Sequence, residues 1–401
     1  MQRTTTRTVI PESHASSFRS WISDIRHWVI LAAYSLQLAS ALCFTTGCAT
    51  LPIAYAPPPS DTATPPPRFR MPGNDFPAVI HVHTRHSDGT ARIPELVQIA
   101  QRQGARVLYI TDHNTMDGQA DNKQELHGDT LVLVGTELST RSGHLLALGV
   151  SKTINPKQPT ATVLTDVERQ GGLSFPSHPH WTKQPWNDWS LEPIHGIELY
   201  NLAADAYEES RLKLLLTAGP LPATLFFPLI LDRPNQTLAQ WDTMTQQRRM
   251  VGIAGNDAHG LRWTPLIRFA PYDLSFACVR THLIAPELSA PAVHTALAAG
   301  HAFIGFDILG DTSGFTFLLL DGDRVAGFMG DEAPMRDHLS LFIWTPRRCK
   351  IHLLRNGQHL TTAEHHELQI PITESGVYRV EAFLDGEPWI ISNPIYVREQ
   401  P

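Results

Sequence analysis

The sequence predicts an α/β protein: a closed barrel of alternating strands and helices, followed by a small region built of strands alone. Three observations carry this prediction. Short apolar runs alternate with helical stretches from residue 77 to residue 310, the rhythm of a mostly parallel sheet. The rhythm continues for ~230 residues, the scale of a (β/α) barrel. Beyond residue 314 the helical pattern stops, and only short, often alternating runs remain.

In chain order, residues 78–82 read as a strand. Residues 93–103 read as a helix, with apolar Leu96, Val97 and Ala100, stopped by Gly104. Strands follow at 106–110, 131–134 and 144–149, then a helix at 161–170 that ends in Gly171-Gly172. Further strands are expected at 174–176, 196–199 and 251–254, with helices at 203–216 and 238–249 before the last of them. Residues 279–284, 291–299 and 302–306 continue the rhythm. In the C-terminal region, strands are expected at 315–320, 339–344, 350–354, 368–372, 377–383 and 395–397. Asn356-Gly357 and Asp385-Gly386 lie between such runs and are hairpin signals. A β-sandwich is the expected arrangement there.

Composition narrows the function. Of 401 residues, 42% are apolar, so the chain can bury a real core. The net charge is −7 with no long basic run, which argues against nucleic acid as a partner. Four cysteines without a CxxC pair exclude a disulfide framework. Residues 1–27 carry Arg3, Arg7, Arg19 and Arg26 against Glu12 and Asp24, and residues 28–47 carry no charge. This is the pattern of an export signal or membrane anchor. Thr45-Thr46-Gly47-Cys48 resembles a lipoprotein cleavage site. Pro57-Pro58-Pro59 and Pro65-Pro66-Pro67 read as an extended tether. The expected plan is a signal or anchor at 1–50, a linker at 51–75, a barrel at 76–310 and a sandwich at 311–401. The expected location is the cell envelope, with membrane attachment through the N-terminal segment.

The chemistry gathers at strand ends. His81-Val82-His83-Thr84-Arg85-His86-Ser87-Asp88-Gly89 closes the first apolar run. In an extended strand, His81 and His83 project to one face, and Asp88 returns from the turn. Asp112-His113 follows 106–110, Glu137 follows 131–134, His178 follows 174–176, and Asp257-Ala258-His259 follows 251–254. Barrel enzymes place catalytic groups at these ends. Imidazoles mixed with carboxylates suit zinc, manganese or iron. His144, inside a strand, is a further candidate ligand, and Asp112 is expected to orient a ligand histidine. His178 is preferred over the neighbouring His180.

Taken together, HVHTRHSDG, TDHN, GTEL with GHLLALG, SHPH and GNDAH resemble, in content and order, the PHP-domain (polymerase and histidinol phosphatase) metallohydrolases. The resemblance covers about residues 77–310. It implies a distorted (β/α)7 barrel holding two or three divalent ions. It implies that His81, His83 and Asp257 bind the first ion and that Glu137 bridges to the second. His178 and His144 would hold the second ion, and Asp88, His113 and His259 the third. Glu137, His178 and Asp257 become the expected catalytic residues of a hydrolase that uses a metal-bridging hydroxide. Three dications outweigh three carboxylates, which favours a small anionic substrate and phosphoester cleavage. The layout of signal, barrel and β-rich tail also resembles exported carbaryl-hydrolase-type members, which implies carbamate or carboxyl ester hydrolysis as an alternative. A non-catalytic envelope binding protein is a third reading, set against the nine filled ligand positions.

Overall fold

The computed structural model describes residues 66–122, 125–208, 231–260 and 271–399. The expected signal segment, most of the proline-rich linker and the later part of the 203–216 helix lie outside the described residues. No described helix is long and apolar enough to cross a membrane.

The fold is mixed α/β and mostly strands. Its first part runs β1 (Asn74–Val82), α1 (Ile93–Arg102), β2 (Val107–Ile110), α2 (Gly118–Asp121), β3 (Leu126–His127), β4 (Thr130–Val134), β5 (Thr136–Thr140) and β6 (Gly143–Leu148). It continues with α3 (Thr160–Arg169), β7 (Leu173–Pro176), β8 (Gly196–Asn201), α4 (Leu202–Glu208), α5 (Asn235–Gln247) and β9 (Val251–Gly255). It closes with α6 (Tyr272–Cys278), β10 (Arg280–Ala285), α7 (Ala290–Ala299) and β11 (Ala302–Gly305). At the start of helix α1 the Arg92 backbone N–H donates to the Glu95 carboxylate at 3.0 Å, and the helix buries Ile93, Leu96, Val97 and Ala100. Helix α7 is capped by the Ser289 hydroxyl and ends at Gly300, whose φ of 75° only glycine adopts freely.

Strands β1, β2 and β4 pair in parallel, as do β8 and β9. The remaining pairs of this part depart from the expected parallel order. Strands β5, β6 and β7 form an antiparallel ladder, and β10 lies antiparallel to both β1 and β11. The reason is local. After β4 the chain does not cross over through a helix but turns at Gly135 and doubles back as the β5–β6 hairpin. The β5 stretch Thr-Glu-Leu-Ser-Thr is too polar to read as a strand, so the sequence pattern passes over it. Apolar residues of β1, β2, β4, β7, β9 and β10 pack into a shared core, with Ile80, Tyr109, Phe175 and Ile253 among them.

Strands alone follow: β12 (Thr316–Asp321), β13 (Arg324–Phe328), β14 (Glu332–Pro334), β15 (Leu339–Arg355), β16 (Gln358–Pro371), β17 (Gly376–Leu384), β18 (Glu387–Ser392) and β19 (Ile395–Arg398). The two strands expected at 339–344 and 350–354 are one 17-residue strand. Its pairing with β16 slips between Trp344 and Cys349, around Pro346, which has no N–H to give to a ladder. Asn356-Gly357 and Asp385-Gly386 do form the turns, with positive φ at all four residues, as a type I′ hairpin requires. Strand β18 pairs with β11, so the ladder passes from the α/β part into this region without a break.

Near that junction, His282 is fully buried, stacked at 4.5 Å on Phe303 and held between Asp75 (2.8 Å) and Asp307 (3.2 Å). Burial alone would lower its pKa. The two carboxylates overcome this and raise it to about 10. A raised folded-state pKa adds stability that is full below the free imidazole value of about 6.5 and is lost as pH climbs to the folded value. His282→Ala should therefore destabilise the fold by about 3 kcal/mol, because it takes the cationic partner from half-buried Asp75 and leaves buried Asp307 to Arg280 and Thr312. Urea unfolding should show that deficit near pH 7 and show it shrinking as pH approaches 10.

Candidate metal centre

The strand ends deliver the candidate ligands, but not from a regular pleat. His81 has φ 67°, and the β1–β2 register slips between Val79 and Val82. This left-handed step turns the His81 ring toward that of His83. Ala258 bridges to Val82, and Asn256 N–H donates to the Ile80 carbonyl at 2.9 Å, so the Asp257 loop is sewn to the end of β1. His113 likewise bridges to Glu137. His178 and Asp257 also have positive φ, 33° and 49°. Such conformations cost about 1–3 kcal/mol each and cluster where function demands them.

All nine predicted ligands converge. Glu137 is 1% exposed and lies at the centre. Its Oε2 is 3.2 Å from His81 Nε2, 3.4 Å from His83 Nε2 and 3.0 Å from His113 Nδ1. Its Oε1 is 2.9 Å from His144 Nδ1 and 3.0 Å from His178 Nε2, and it accepts from the Ser177 hydroxyl at 3.0 Å. Asp257 Oδ1 closes the first group, 3.3 Å from His81 Nε2 and 3.2 Å from His83 Nε2. At the open side, Asp88 lies 3.2 Å from His259 and 3.6 Å from both His83 and His113. Asp88 is 55% exposed and faces these rings, while the turn at Gly89 is held by backbone bonding to Thr84. Among the described residues, three sets place their ligand atoms within 4.8 Å: His81, His83, Glu137 and Asp257; His113, Glu137 and His144; and His83, Asp88, His113 and His259. His178 falls in none of these sets, but its Nε2 lies 3.3 Å from His144 Nδ1. His113 spans two sets rather than one.

The donor set fits cations. His81 Nε2, His83 Nε2, His113 Nδ1, His178 Nδ1 and Glu137 Oε2 are buried without a hydrogen-bond partner. An unpaired buried polar atom costs about 1–3 kcal/mol, so the four that face one another here, all but His178 Nδ1, need another source of stabilisation. Divalent ions accept such lone pairs, and imidazole with carboxylate is their usual company.

The surroundings departed from expectation at Asp112. Its carboxylate accepts from Thr84 N–H (2.7 Å), the Thr84 hydroxyl (2.7 Å) and the Ser87 hydroxyl (2.6 Å), and contacts no ligand histidine. It braces the loop that carries Asp88. His180 leans on Trp189, with ring centroids 6.0 Å apart, outside the cluster. Glu198 was missed. It is buried beneath the cluster and meets His81 Nδ1 at 2.7 Å. Its signal was available: a lone acid inside the otherwise apolar run Gly-Ile-Glu-Leu-Tyr. Tyr272 was also missed; its hydroxyl lies 2.9 Å from the His83 carbonyl and 2.8 Å from that of His259, tying the two loops together.

The PHP domain family model matches residues 80–219. An uncharacterized protein of Methanocaldococcus jannaschii is 27% identical over 115 residues, which is 26% of this chain and 67% of that protein. A two-domain protein of Bacteroides vulgatus, containing a predicted PHP-like metal-dependent phosphoesterase, has 16% identity and a TM-score of 0.38. That match covers 83% of this chain and 99% of that one. A proposed metal-dependent phosphoesterase of Bifidobacterium adolescentis has 16% identity and a TM-score of 0.33, covering 49% and 93% of the two chains.

Without cations, the cluster holds protons. Burial lowers the pKa of His81, but Asp257, Glu137 and Glu198 hold it well above the free value. His113, His178 and His259 are raised on the same balance, whereas burial wins at His83 and lowers it. The facing imidazoles keep Glu137 and Asp257 ionised, and Asp88 sits at about 2. A cation entering the cluster must displace the imidazole protons. Metal binding should therefore release protons, and apparent affinity should climb as pH rises above about 6.5. Calorimetric titration with Mn²⁺ in buffers of different ionisation heat reads both; a pH-independent affinity with no proton release contradicts this account.

Proposed function

We propose that this chain is a metal-dependent hydrolase, most consistent with phosphoester cleavage, whose catalytic region is a distorted (β/α)7 barrel followed by a β-sandwich. The observation that supports it most is the convergence of unpartnered imidazole nitrogens and Glu137 Oε2 on one partly open site. His81, His83, Glu137 and Asp257 would hold one ion; Glu137, His144 and His178 a second; Asp88, His113 and His259 a third. Bound zinc, manganese or iron would supply Lewis acidity and lower the pKa of an attacking water.

The remaining chemistry belongs to the chain. Glu137 directs Oε2 to His81, His83 and His113 and Oε1 to His144 and His178, and its negative charge would offset the repulsion between cations held by the two halves. Asp257, 14% exposed, is the proposed proton acceptor at the solvent side. The His178 imidazole lies across Glu137 from that side, and its fixed ring keeps the second half of the cluster in place. Asp88 lines the open edge, where substrate enters. With three dications bound, the surplus of positive charge would favour an anionic substrate and a transition state that gains negative charge.

His83→Ala and Asp257→Ala should each abolish turnover and lower bound metal. The assay compares aryl phosphate monoesters and diesters with aryl carbamates on one preparation. Full activity and full metal content in both variants would overturn the assignment. A preference for carbamates would move the reaction from phosphorus to a carbonyl centre. We also propose an envelope location, from the uncharged 28–47 segment ahead of Cys48. Cys48→Ser should shift the protein from the membrane to the soluble fraction; an uncleaved, still membrane-bound variant would point to an anchor helix instead.

A further inference from the structure

Glu198 is none of the nine expected ligands, yet it touches the supports of three of them. Oε1 lies 2.7 Å from His81 Nδ1. Oε2 accepts from the His178 backbone N–H at 2.5 Å and from Asn201 Nδ2 at 2.9 Å. The same Asn201 amide reaches Asp257 Oδ2 at 3.4 Å. Glu198 is 1% exposed, inside a strand in which every residue is buried. Two features of the backbone make room for it. The β8–β9 register slips between Glu198 and Tyr200, the kind of irregularity that re-aims a side chain next to a site. Gly255 lies against its carboxylate, where an added Cβ would come within 1.6 Å of Oε1.

We infer that Glu198 is a positioning residue for the metal centre: it fixes the His81 ring so that Nε2 faces the cation, and it anchors the backbone of His178. The inference rests on the metal-centre reading above. A carboxylate oxygen facing an imidazole nitrogen accepts its hydrogen, so His81 Nδ1 carries the N–H. Nε2 is then the nitrogen left for a cation. The same contact makes Nε2 a stronger donor to the ion, and loss of such a partner typically weakens metal binding 10- to 100-fold. The contact to His178 acts on backbone rather than ring, and it secures a residue whose φ of 33° the chain would otherwise leave. The Asn201 link extends the hold to Asp257. A residue that only filled space would do as well uncharged.

The test uses the full-length protein, stripped of metal and titrated with Mn²⁺ and separately with Zn²⁺. Glu198→Gln keeps the volume but removes the charge and one acceptor. The expected result is metal affinity weaker by about 10- to 100-fold, with the thermal midpoint of the metal-free form close to wild type. Unchanged affinity in the variant, beside a wild type that binds metal, overturns the inference and leaves the metal centre standing. A wild type that binds neither ion overturns both. If Glu198→Gln does not fold, long-range proton–nitrogen spectra of the zinc-loaded wild type decide, with His81 assigned by its loss in His81→Gln. A protonated Nδ1 and a coordinated Nε2 support the inference; the reverse tautomer overturns it.

Discussion

One buried acid among imidazoles governs the interior. Glu137 is 1% exposed and lies within 3.4 Å of nitrogens from His81, His83, His113, His144 and His178. A lone carboxylate at such depth would be pushed toward neutrality, and five clustered imidazoles would repel once protonated. Neither half is comfortable by itself. The carboxylate keeps its charge because the rings surround it, and the rings converge because the carboxylate draws them. The buried atoms left without a hydrogen-bond partner are ones a bound cation would satisfy.

The backbone around the cluster is shaped for that convergence rather than for ease. Left-handed geometry at His81, His178 and Asp257 falls on residues whose side chains the cluster needs. A regular strand end would aim these groups elsewhere. Close approach sets a second demand. At Gly89, an added Cβ would lie 2.2 Å from the His83 carbonyl oxygen, so the loop bearing Asp88 folds back only because that position has no side chain. The apolar strands beneath, with Ile80, Phe175 and Ile253 in one core, supply the rigidity that keeps this conformation populated.

Much of this was legible in the residues. Apolar runs located β1, β2, β4, β7 and β9, and the polar residues just past them proved to be neighbours in space. The hairpin turns at Asn356-Gly357 and Asp385-Gly386 were legible because positive φ at two successive residues leaves few chemical choices. Pairing direction was not. Strand β5 carries no apolar run because Glu137 faces the cluster while Thr136, Ser139 and Thr140 make hydrogen bonds to neighbouring loops. Extended geometry also misjudged the route by which His81 and His83 meet, since a left-handed step has no period to read. Asp112 looked like a partner for a ligand ring by its place beside His113, but hydrogen bonds to Thr84 and Ser87 are a matter of tertiary approach.

The pairing of β18 with β11 has a consequence for how the protein can be cut. Strand β11 meets β10 on one edge and β18 on the other, at Phe303, Ile304 and Gly305. Asn393 adds side-chain bonds to the backbone of Gly252 and Ala302. A fragment ending near residue 310 would bare that edge and uncover apolar surface beside it, a template for sticking to other chains. The β-rich segment is thus less an accessory than the closing seam of the protein's own sheet.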